Sequence, residues 1–449
     1  MAFTKITPKT AAPETPDMLF RELPRRKIPD VLPHQQEMMQ RYSTQAVDLG
    51  DVALQLPTGS GKTLVGLLIA EWRRRKFGEK VVYLCPTKQL VHQVVNQAEQ
   101  KYGLSVVGFT GSRKYYSASD MSKYNLGNSV AITTYSSLFN SNPYFHDADI
   151  IIIDDAHAAE NYVAKLWSIN IDRFEQKHSL LHSLFSNILK PYISSSSYTR
   201  LTGEAESPSD LAWVDKIPTP NLIEMHDEIQ ALLDTHTPHT DLQYSWGMLR
   251  EHLRACHIYL SSSEILIRPL IPPTWAHAAF NKSKQRIYMS ATLGEGGDLE
   301  RLLGRRKIHR LPVPSGWDSQ GVGRRFFIFP SLSLDAEDSI RLRRSLLSKA
   351  SRSLVLVPNN PMKAEIIEDV QLHIPSLTIY DAEDIEQSKE EFVNSASAVA
   401  VIANRYDGID FPGDECRLLL IEGLPKTVNT QERFLMSRMG ANILFNERI

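Results

Sequence analysis

The sequence predicts an α/β protein with two parallel-sheet units, the second of them incomplete, and a mainly helical insertion between them. Short apolar runs alternate with helical patterns over residues 50–155, and a second series of this kind begins near residue 325. Continuous apolar strands separated by amphipathic helices are typical of parallel sheets that are covered on both faces. Residues 160–280, between the two series, show the spacing of helices instead.

Length and composition limit what the protein can be. A chain of 449 residues is too long for one hydrophobic core, so we expect two or three domains. The net charge of −2 excludes a bulk attraction to nucleic acid or membrane, so a polyanion site must be a local patch. The three cysteines are far apart, which argues against a disulfide framework or zinc ribbon and favours a reducing, cytoplasmic location. No apolar run approaches membrane-spanning length, so we expect no membrane partner.

The first unit is predicted over residues 29–160 and 280–312, after a flexible Pro- and Thr-rich tail over residues 1–28. Its strands are predicted in the runs DVALQL, VVYLCP, SVVGF, SVAITT and IIIID. Helices are predicted between them, in KTLVGLLIAEWRRR and KQLVHQVVNQAEQKY. The alternation of strand and helix indicates a parallel sheet.

The insertion is predicted over residues 161–279. Apolar residues recur on one helical face in NLIEMHDEIQALLD and again in WGMLREHLRACHIYL. These faces contain Leu222, Met225, Ile229, Leu232 and Leu233 in the first segment, and Trp246, Leu249, Leu253, Cys256 and Leu260 in the second. The stretch SSSSYTRLTGEAESPSD is predicted to be a loop.

The second unit is predicted over residues 320–449. Its strand series comprises the runs RRFFIF, SLVLVP, LTIY, AVAVIA and RLLLIEGLP. These runs are continuous and apolar like those of the first unit, so we expect a second parallel sheet.

A phosphate-binding loop is predicted in LQLPTGSGKT, residues 54–63. Gly59 and Gly61 allow the backbone to bend so that consecutive N–H groups face a phosphate at the positive end of the following helix. Lys62 would reach the β- and γ-phosphates, and the Thr63 hydroxyl would bind Mg²⁺. The pattern GxxxxGK[ST] departs at its first position, where Leu56 replaces glycine. The alternative is a glycine-rich turn with a chance lysine.

An acidic pair, Asp154 and Asp155, stands at the end of the strand IIIID, about 90 residues downstream of the loop. A phosphate-binding loop needs one carboxylate to hold Mg²⁺ and another to orient or deprotonate the attacking water. By position, Asp154 takes the first role and Asp155 the second. The alternative is an acidic strand end that caps the next helix.

The ordered set of motifs resembles a superfamily-2 helicase of the DExH type. PTGSGKT is similar to motif I, VVYLCPTKQLVHQ to motif Ia, FTGS to Ib, ITTYSSL to Ic, DDAH to motif II and MSATL to motif III. ANRYDGIDFPGDECRLLLIEGLP resembles motif V of the XPD/DinG-like branch. The resemblance implies two RecA-like domains that bind ATP and Mg²⁺ and act on single-stranded or duplex nucleic acid, with DNA favoured over RNA.

The resemblance also implies roles for individual residues. The implied catalytic residues are Lys62, Asp154, Asp155 and His157, and the implied metal ligands are Thr63 and Asp154. The implied ATP-binding residues are Gln35, Pro57, Thr58, Gly59, Ser60, Gly61, Lys62, Thr63, Gly408 and Asp410. Gln35 would read the adenine edge by its side-chain amide, and its neighbour Gln36 is a rival for this role.

Small hydroxyl residues in motifs Ia, Ib and Ic suit a phosphate track that grips nucleic acid without reading bases. The implied nucleic-acid contacts are Thr87, Thr110, Gly111, Thr133 and Thr134. For each residue alone, a local turn or helix cap is an alternative. Ser290 and Thr292 would couple the γ-phosphate to domain movement.

The sequence departs from the family pattern in two places. Asp155 stands where the family has glutamate, which withdraws the carboxylate by about 1.5 Å, and a displacement of about 1 Å can cost about 100-fold in rate. The ending QERFLMSRMGANILFNERI lacks the Gly-Arg pair of motif VI, so we expect a chain that stops before this motif.

These observations lead to a main hypothesis, a nucleic-acid-dependent ATPase motor. One alternative is a module that binds ATP and nucleic acid with little hydrolysis. Another is the motor part of a restriction or defence complex, with the helical insertion as a docking arm for a protein partner.

Overall fold

The computed structural model of the protein describes residues 13–57, 59–204, 207–293, 297–314, 326–403, 411, 413–423 and 429–440. By its internal contacts the chain divides into two units, residues 1–322 and 323–449. None of the helices within the described ranges is long and apolar enough to cross a membrane.

The strands, in chain order, are β1 Asp51–Gln55, β2 Val81–Cys85, β3 Val106–Phe109, β4 Val130–Thr134, β5 Ile150–Asp154, β6 Ile169–Asp172, β7 Val214–Lys216, β8 Cys256–Ser261, β9 Glu264–Pro269, β10 Gln285–Ser290, β11 His309–Arg310, β12 Arg352–Val357, β13 Thr378–Tyr380, β14 Ala398–Ala403 and β15 Leu418–Ile421. The helices are α1 Pro16–Glu22, α2 Pro33–Gln45, α3 Lys62–Phe77, α4 Lys88–Gln97, α5 Ala118–Asn125, α6 Tyr135–Leu138, α7 Ala159–Lys165, α8 Ser179–Leu189, α9 Ser195–Thr202, α10 Pro208–Ala212, α11 Thr219–Glu224, α12 His226–His236, α13 Gln243–Leu249, α14 Ala278–Asn281, α15 Asp298–Leu302, α16 Ala336–Lys349, α17 Asn360–His373, α18 Ala382–Gln387, α19 Lys389–Asn394 and α20 Thr430–Met439.

The first unit is built on a seven-stranded parallel sheet with the order β11-β1-β10-β5-β2-β4-β3. Its five predicted strands are confirmed as β1 to β5. Alternate residues of β5 pack into two different cores: Ile150 and Ile152 into one, Ile151 and Ile153 into the other. The sheet is therefore covered on both faces, which explains why its strands are continuously apolar.

Helix α3 approaches this sheet closely because it carries a glycine in its interior. A Cβ placed on Gly66 would lie 2.5 Å from Met289 Cε and 2.9 Å from Tyr83 Cε2. Glycine costs a helix interior about 1 kcal/mol relative to alanine. Here the close packing of α3 against the central strands offsets that cost.

The N-terminal residues differ from the predicted flexible tail. Residues 16–22 form helix α1, in which Leu19 and Phe20 are fully buried and belong to the core beneath α3. The assignment of residues 1–28 to a tail is therefore wrong for this part. The helix contains few apolar residues, and the sequence around it is rich in Pro and Thr, so the sequence gives only a weak helical signal there.

The insertion contains the predicted helices and also an antiparallel sheet that was not predicted. Of the face predicted over α11 and α12, Leu222, Met225, Ile229 and Leu233 are buried, and Leu232 is half-buried. The second predicted helix ends early, since Arg250–Ala255 form a 3₁₀ turn and Cys256 begins β8. Strands β6, β9, β8 and β7 pair in that order. The predicted loop SSSSYTRLTGEAESPSD contains helix α9 and the beginning of α10.

The second unit contains a four-stranded parallel sheet with the order β13-β14-β12-β15. The predicted strands SLVLVP, LTIY, AVAVIA and RLLLIEGLP are confirmed within the described residues as β12 to β15. The predicted strand RRFFIF is not confirmed, because its described residues, 326–329, lie outside any strand and Phe326 is 89% exposed. Apolar composition alone does not make a strand where no neighbouring strand pairs with it.

Candidate active site

The candidate site lies where several strands of the first unit end. Strands β1, β10, β5 and β2 are consecutive in a parallel sheet, so their carboxyl ends meet at one edge. The phosphate-binding loop follows β1 at this edge and leads into α3. Gly59 and Gly61 have φ values of 82° and 77°, in the left-handed region that residues with a Cβ rarely adopt. The first N–H groups of α3 have no partner within the helix, which makes this turn suitable for a phosphate.

Gln35 ties the phosphate-binding loop to helix α2. Its Nε2 donates a hydrogen bond to the Ser60 carbonyl oxygen at 2.6 Å, and its Oε1 accepts one from the Leu32 N–H at 2.9 Å. A Cβ placed on Gly61 would lie 2.2 Å from Gln35 Nε2, so the loop needs glycine there for space as well as for its φ. Gln35 therefore lies beside the loop, while its contact with adenine stays a prediction. The rival residue Gln36 is half-buried one position further along α2.

The Ser60 side chain is the part of the loop that most directly indicates a ligand. Its hydroxyl oxygen is buried and has no hydrogen-bond partner among the residues the structure describes. A buried hydroxyl without a partner costs about 1–3 kcal/mol. A phosphate oxygen in the loop would offset this cost, so the loop fits the group that the sequence predicts.

Lys62, the first residue of α3, reaches the carboxylates at the end of β5. Its Nζ lies 3.3 Å from Asp154 Oδ1 and also forms an ion pair with Asp155. Burial alone would lower the pKa of Lys62, but the two negative charges outweigh burial and hold this pKa above its usual value. The structure thus brings the predicted lysine and the predicted acidic pair together.

Asp154 is the more buried of the two carboxylates, with a side chain 8% exposed against 25% for Asp155. Burial raises the pKa of Asp154 above the usual aspartate range, and the Lys62 charge and a hydrogen bond from Tyr83 offset only part of this rise. A divalent cation stabilises a buried carboxylate. The surroundings of Asp154 therefore fit a metal ligand, while its binding of a metal ion stays a prediction.

Two buried tyrosines contact Asp154, and neither contact was predicted from the sequence. The Tyr83 hydroxyl donates to Asp154 Oδ2 at 2.8 Å, and the Tyr135 hydroxyl donates to the Asp154 carbonyl oxygen. The available signal was a hydroxyl inside each of the runs VVYLC and ITTY, since a buried tyrosine hydroxyl needs a partner.

Asp155 ends the strand in an unusual backbone conformation, with φ 52° and ψ 51°. This left-handed conformation costs a residue with a Cβ about 1–2 kcal/mol, and such strain is often found at functional sites. The Asp155 N–H donates to Asp154 Oδ1 at 3.1 Å. The turn therefore keeps the two carboxylates adjacent instead of on opposite faces of a continuing strand.

His157 connects this acidic pair to the end of β10. Its Nδ1 lies 2.7 Å from Ser290 Oγ, and the same oxygen accepts a hydrogen bond from the Thr292 N–H at 3.2 Å. The Ser290 carbonyl oxygen accepts a hydrogen bond from the Leu56 N–H at 2.8 Å. Ser290 therefore contacts both DDAH and the start of the phosphate-binding loop, while its coupling role stays a prediction.

The residues present at this edge fit a magnesium–nucleotide complex. Mg²⁺ prefers oxygen ligands and is often bound by one or two carboxylates together with phosphates. Asp154 supplies the carboxylate predicted for the metal ion, and Thr63, the other predicted ligand, is half-buried in the first turn of α3. Pro57 begins the loop at the same edge and is half-buried as well. Thr58, Gly408 and Asp410, also predicted to bind ATP, lie outside the described residues.

The predicted nucleic-acid contacts in motifs Ia and Ib lie at strand ends. Thr87 is the N-cap of α4, and its Oγ1 accepts a hydrogen bond from the Leu90 N–H at 3.2 Å. Thr110 and Gly111 follow β3, where Thr110 is half-buried and Gly111 is exposed with a φ of 75°. The Thr87 hydroxyl therefore serves as a helix cap, while the turn after β3 is accessible.

The two threonines of motif Ic have different surroundings. Thr133 is 0% exposed, and its Oγ1 donates to the Phe109 carbonyl oxygen at 2.7 Å. The predicted contact of this side chain with nucleic acid is therefore wrong, because β4 lies between β2 and β3 in a sheet covered on both faces. Thr134 ends the strand and is 7% exposed, and its hydroxyl hydrogen-bonds with those of Ser136 and Ser137.

Comparison with known proteins agrees with this geometry. Residues 32–186 match the DEAD/DEAH box helicase family. No curated protein matches the sequence at a significant level. An XPD helicase structure aligns with a TM-score of 0.50 at 15% identity, and the alignment covers 94% of this chain and 91% of the other.

Two further XPD structures align similarly. An XPD structure in the apo state has a TM-score of 0.48 at 18% identity, with 88% of this chain and 87% of the other covered. S. tokodaii Xpd4 has a TM-score of 0.49 at 16% identity, with coverages of 91% and 88%. At such low identity these likenesses concern the fold alone. The sequence match spans Gln35, the phosphate-binding loop and the acidic pair, so residues 32–186 of this chain are similar to a DEAD/DEAH box helicase domain.

Proposed function

We propose that this protein is an ATPase motor that hydrolyses ATP with Mg²⁺ at the edge of its first sheet and translocates on or unwinds nucleic acid. The observation that carries the proposal is the meeting of Lys62 with Asp154 and Asp155 beside the phosphate-binding loop. These groups come from two chain segments about 90 residues apart. Their convergence is what a site for phosphoryl transfer to water requires.

The residues of this site have separable tasks in the proposed reaction. The loop backbone from Pro57 to Gly61 binds the phosphates, and the positive charge of Lys62 lies beside the β- and γ-phosphates. Asp154 and Thr63 hold the metal ion. Bound Mg²⁺ would neutralise the charge that develops on the phosphates during transfer.

The second carboxylate serves the attacking water. Asp155 is the more exposed of the pair, so water can reach it. In the proposed step, its carboxylate orients this water and accepts its proton. His157, two residues after Asp155, contacts Ser290 Oγ, and this oxygen accepts a hydrogen bond from the Thr292 N–H. These contacts connect the acidic pair to the segment that contains Thr292.

We propose that the nucleic acid follows the loops after β2, β4 and β3. These strands are consecutive in the sheet, so the loops with Thr87, Thr134 and Gly111 lie side by side. Arg113 and Lys114 are exposed shortly after Gly111 and add positive charge to this surface. Such a surface suits the sugar–phosphate backbone of a single strand. The proposal favours DNA over RNA because motif V resembles that of the XPD/DinG-like branch.

The test is phosphate release from ATP, measured with and without a single-stranded DNA oligonucleotide and a single-stranded RNA of equal length. We expect hydrolysis that single-stranded nucleic acid stimulates and that Lys62→Ala abolishes. Lys76→Ala is the matched control, because Lys76 lies near the other end of the same helix, where it contacts the Glu14 carbonyl oxygen and nearby rings. Stimulated hydrolysis that survives Lys62→Ala would refute the proposal.

A further inference from the structure

Tyr83 reaches the candidate metal ligand from the neighbouring strand. It lies on β2, opposite Ile152 of β5, and its hydroxyl donates to Asp154 Oδ2 at 2.8 Å. The side chain is fully buried. Helix α3 fixes the ring, since even a Cβ at Gly66 would come within 2.9 Å of Tyr83 Cε2. The hydroxyl is therefore held at one place beside the carboxylate.

Tyr135 reaches the same residue from a second direction. It is the first residue of α6, and its hydroxyl donates to the carbonyl oxygen of Asp154. Its ring stacks on that of Tyr162, with centroids 5.4 Å apart and planes 18° apart. Tyr135 is fully buried and follows Thr134, which ends the strand of motif Ic.

Together these contacts restrain both the side chain and the backbone of Asp154. Tyr83 binds Oδ2, the Asp155 N–H binds Oδ1, and Tyr135 binds the carbonyl oxygen. A carboxylate that must bind a metal ion works best when its rotation is already restricted, because ligand orientation is set by neighbouring hydrogen bonds.

We propose that Tyr83 and Tyr135 are positioning residues that hold Asp154 in the orientation required for Mg²⁺ binding. The inference rests on the proposed function and deepens it. The simpler account is that both tyrosines fill the core and that their hydroxyls bond whatever acceptor is near. The two accounts differ in what they predict for magnesium.

The same sheet contains a matched control. Tyr288 lies on β10, is fully buried, and donates a hydrogen bond to Asp51 Oδ1 at 2.6 Å. Asp51 is the first residue of β1, whereas Asp154 is the last residue of β5, so the two tyrosine–aspartate pairs lie at opposite edges of the sheet. Tyr288→Phe thus removes a buried hydroxyl of the same kind away from the candidate site.

The experiment is a Mg²⁺ titration of the binding of a fluorescent ATP analogue to the full chain and its variants. We expect Tyr83→Phe to raise the Mg²⁺ concentration for half-maximal binding by about tenfold, because the lost hydrogen bond is to a charged group. Tyr135→Phe should raise it by about threefold, because its acceptor is a neutral carbonyl. Tyr288→Phe should change it by less than about twofold.

Two results would overturn the inference. One is a midpoint for Tyr83→Phe and Tyr135→Phe equal to that of Tyr288→Phe, which would make all three tyrosines packing residues only. The other is a wild-type nucleotide affinity that does not depend on Mg²⁺. Failure of the proposed function would be seen in a different experiment, as the absence of hydrolysis stimulated by nucleic acid. The binding titration does not depend on turnover, so the two failures can be distinguished.

Discussion

The contact between Gln35 and Gly61 yields a prediction with a defined magnitude. Replacing Gly61 by alanine puts a Cβ 2.2 Å from Gln35 Nε2 at a residue whose φ is 77°. The left-handed backbone alone should cost about 1 kcal/mol. The overlap also displaces the Gln35 amide, which removes its bonds to the Ser60 carbonyl oxygen and the Leu32 N–H at about 1 kcal/mol each.

A double-mutant cycle separates these contributions. We expect Gly61→Ala to lower the free energy of unfolding of the first unit by about 3 kcal/mol, and Gln35→Ala by about 2 kcal/mol. The double variant should also lose about 3 kcal/mol, because the amide that the new methyl group would displace is already gone. The expected coupling is therefore about 2 kcal/mol.

The assay is urea unfolding followed by tryptophan fluorescence. All six tryptophans precede residue 323, so the signal reports the first unit and not the second. This matters because a single free energy of unfolding is not defined for a chain with two units. Effects of the two substitutions that add within about 0.5 kcal/mol would refute the reasoning, because residues in contact must show coupling.

Three further predictions concern other parts of the first unit. His157→Ala should lower nucleic-acid-stimulated turnover about tenfold with little change in nucleotide affinity, because it removes the bond to Ser290; an equal loss in basal and stimulated rates would contradict this. Asp155→Asn should lower steady-state turnover by at least about 100-fold and leave ATP binding intact, and unchanged turnover would exclude Asp155 as the base. Burial lowers the pKa of His182 to about 4, so the unfolded chain takes up a proton between about pH 6.5 and 4 that the folded chain does not. Stability of the first unit should therefore fall as the pH is lowered through this window, and His182→Leu should make that fall smaller. The measurement is the free energy of unfolding in urea at pH 7 and pH 5, and an equal loss between these pH values in the wild type and in His182→Leu would contradict the prediction.

The parts of the fold that the sequence predicted well are those with a strong local signal. The strands of the first sheet are continuous apolar runs, and Lys62 and Asp154 are placed by motifs with a defined geometry. The segment around β8 was predicted to be a helix and is a strand, for a physical reason. Its apolar residues Leu253, Cys256 and Leu260 keep a spacing of three and four, which fits a helix, and only pairing with β9 makes the strand.

The parts that could not be predicted depend on contacts between distant segments. Tyr83 and Asp154 are 71 residues apart and meet because β2 and β5 are neighbours in the sheet. Thr133 looks like a surface hydroxyl in the sequence, yet the position of β4 between two other strands buries it. Side-chain roles of this kind follow from strand order, which the periodicity of one sequence does not reveal.

The central claim is that Lys62, Asp154 and Asp155 form one site for ATP hydrolysis coupled to nucleic acid. The most direct test is the rate of phosphate release from ATP and Mg²⁺, measured with and without single-stranded DNA, for the wild type and for Lys62→Ala. The account predicts a rate that DNA increases in the wild type and that is lost in the variant under both conditions. A wild-type rate that DNA does not change, or a variant that keeps the stimulated rate, would contradict it.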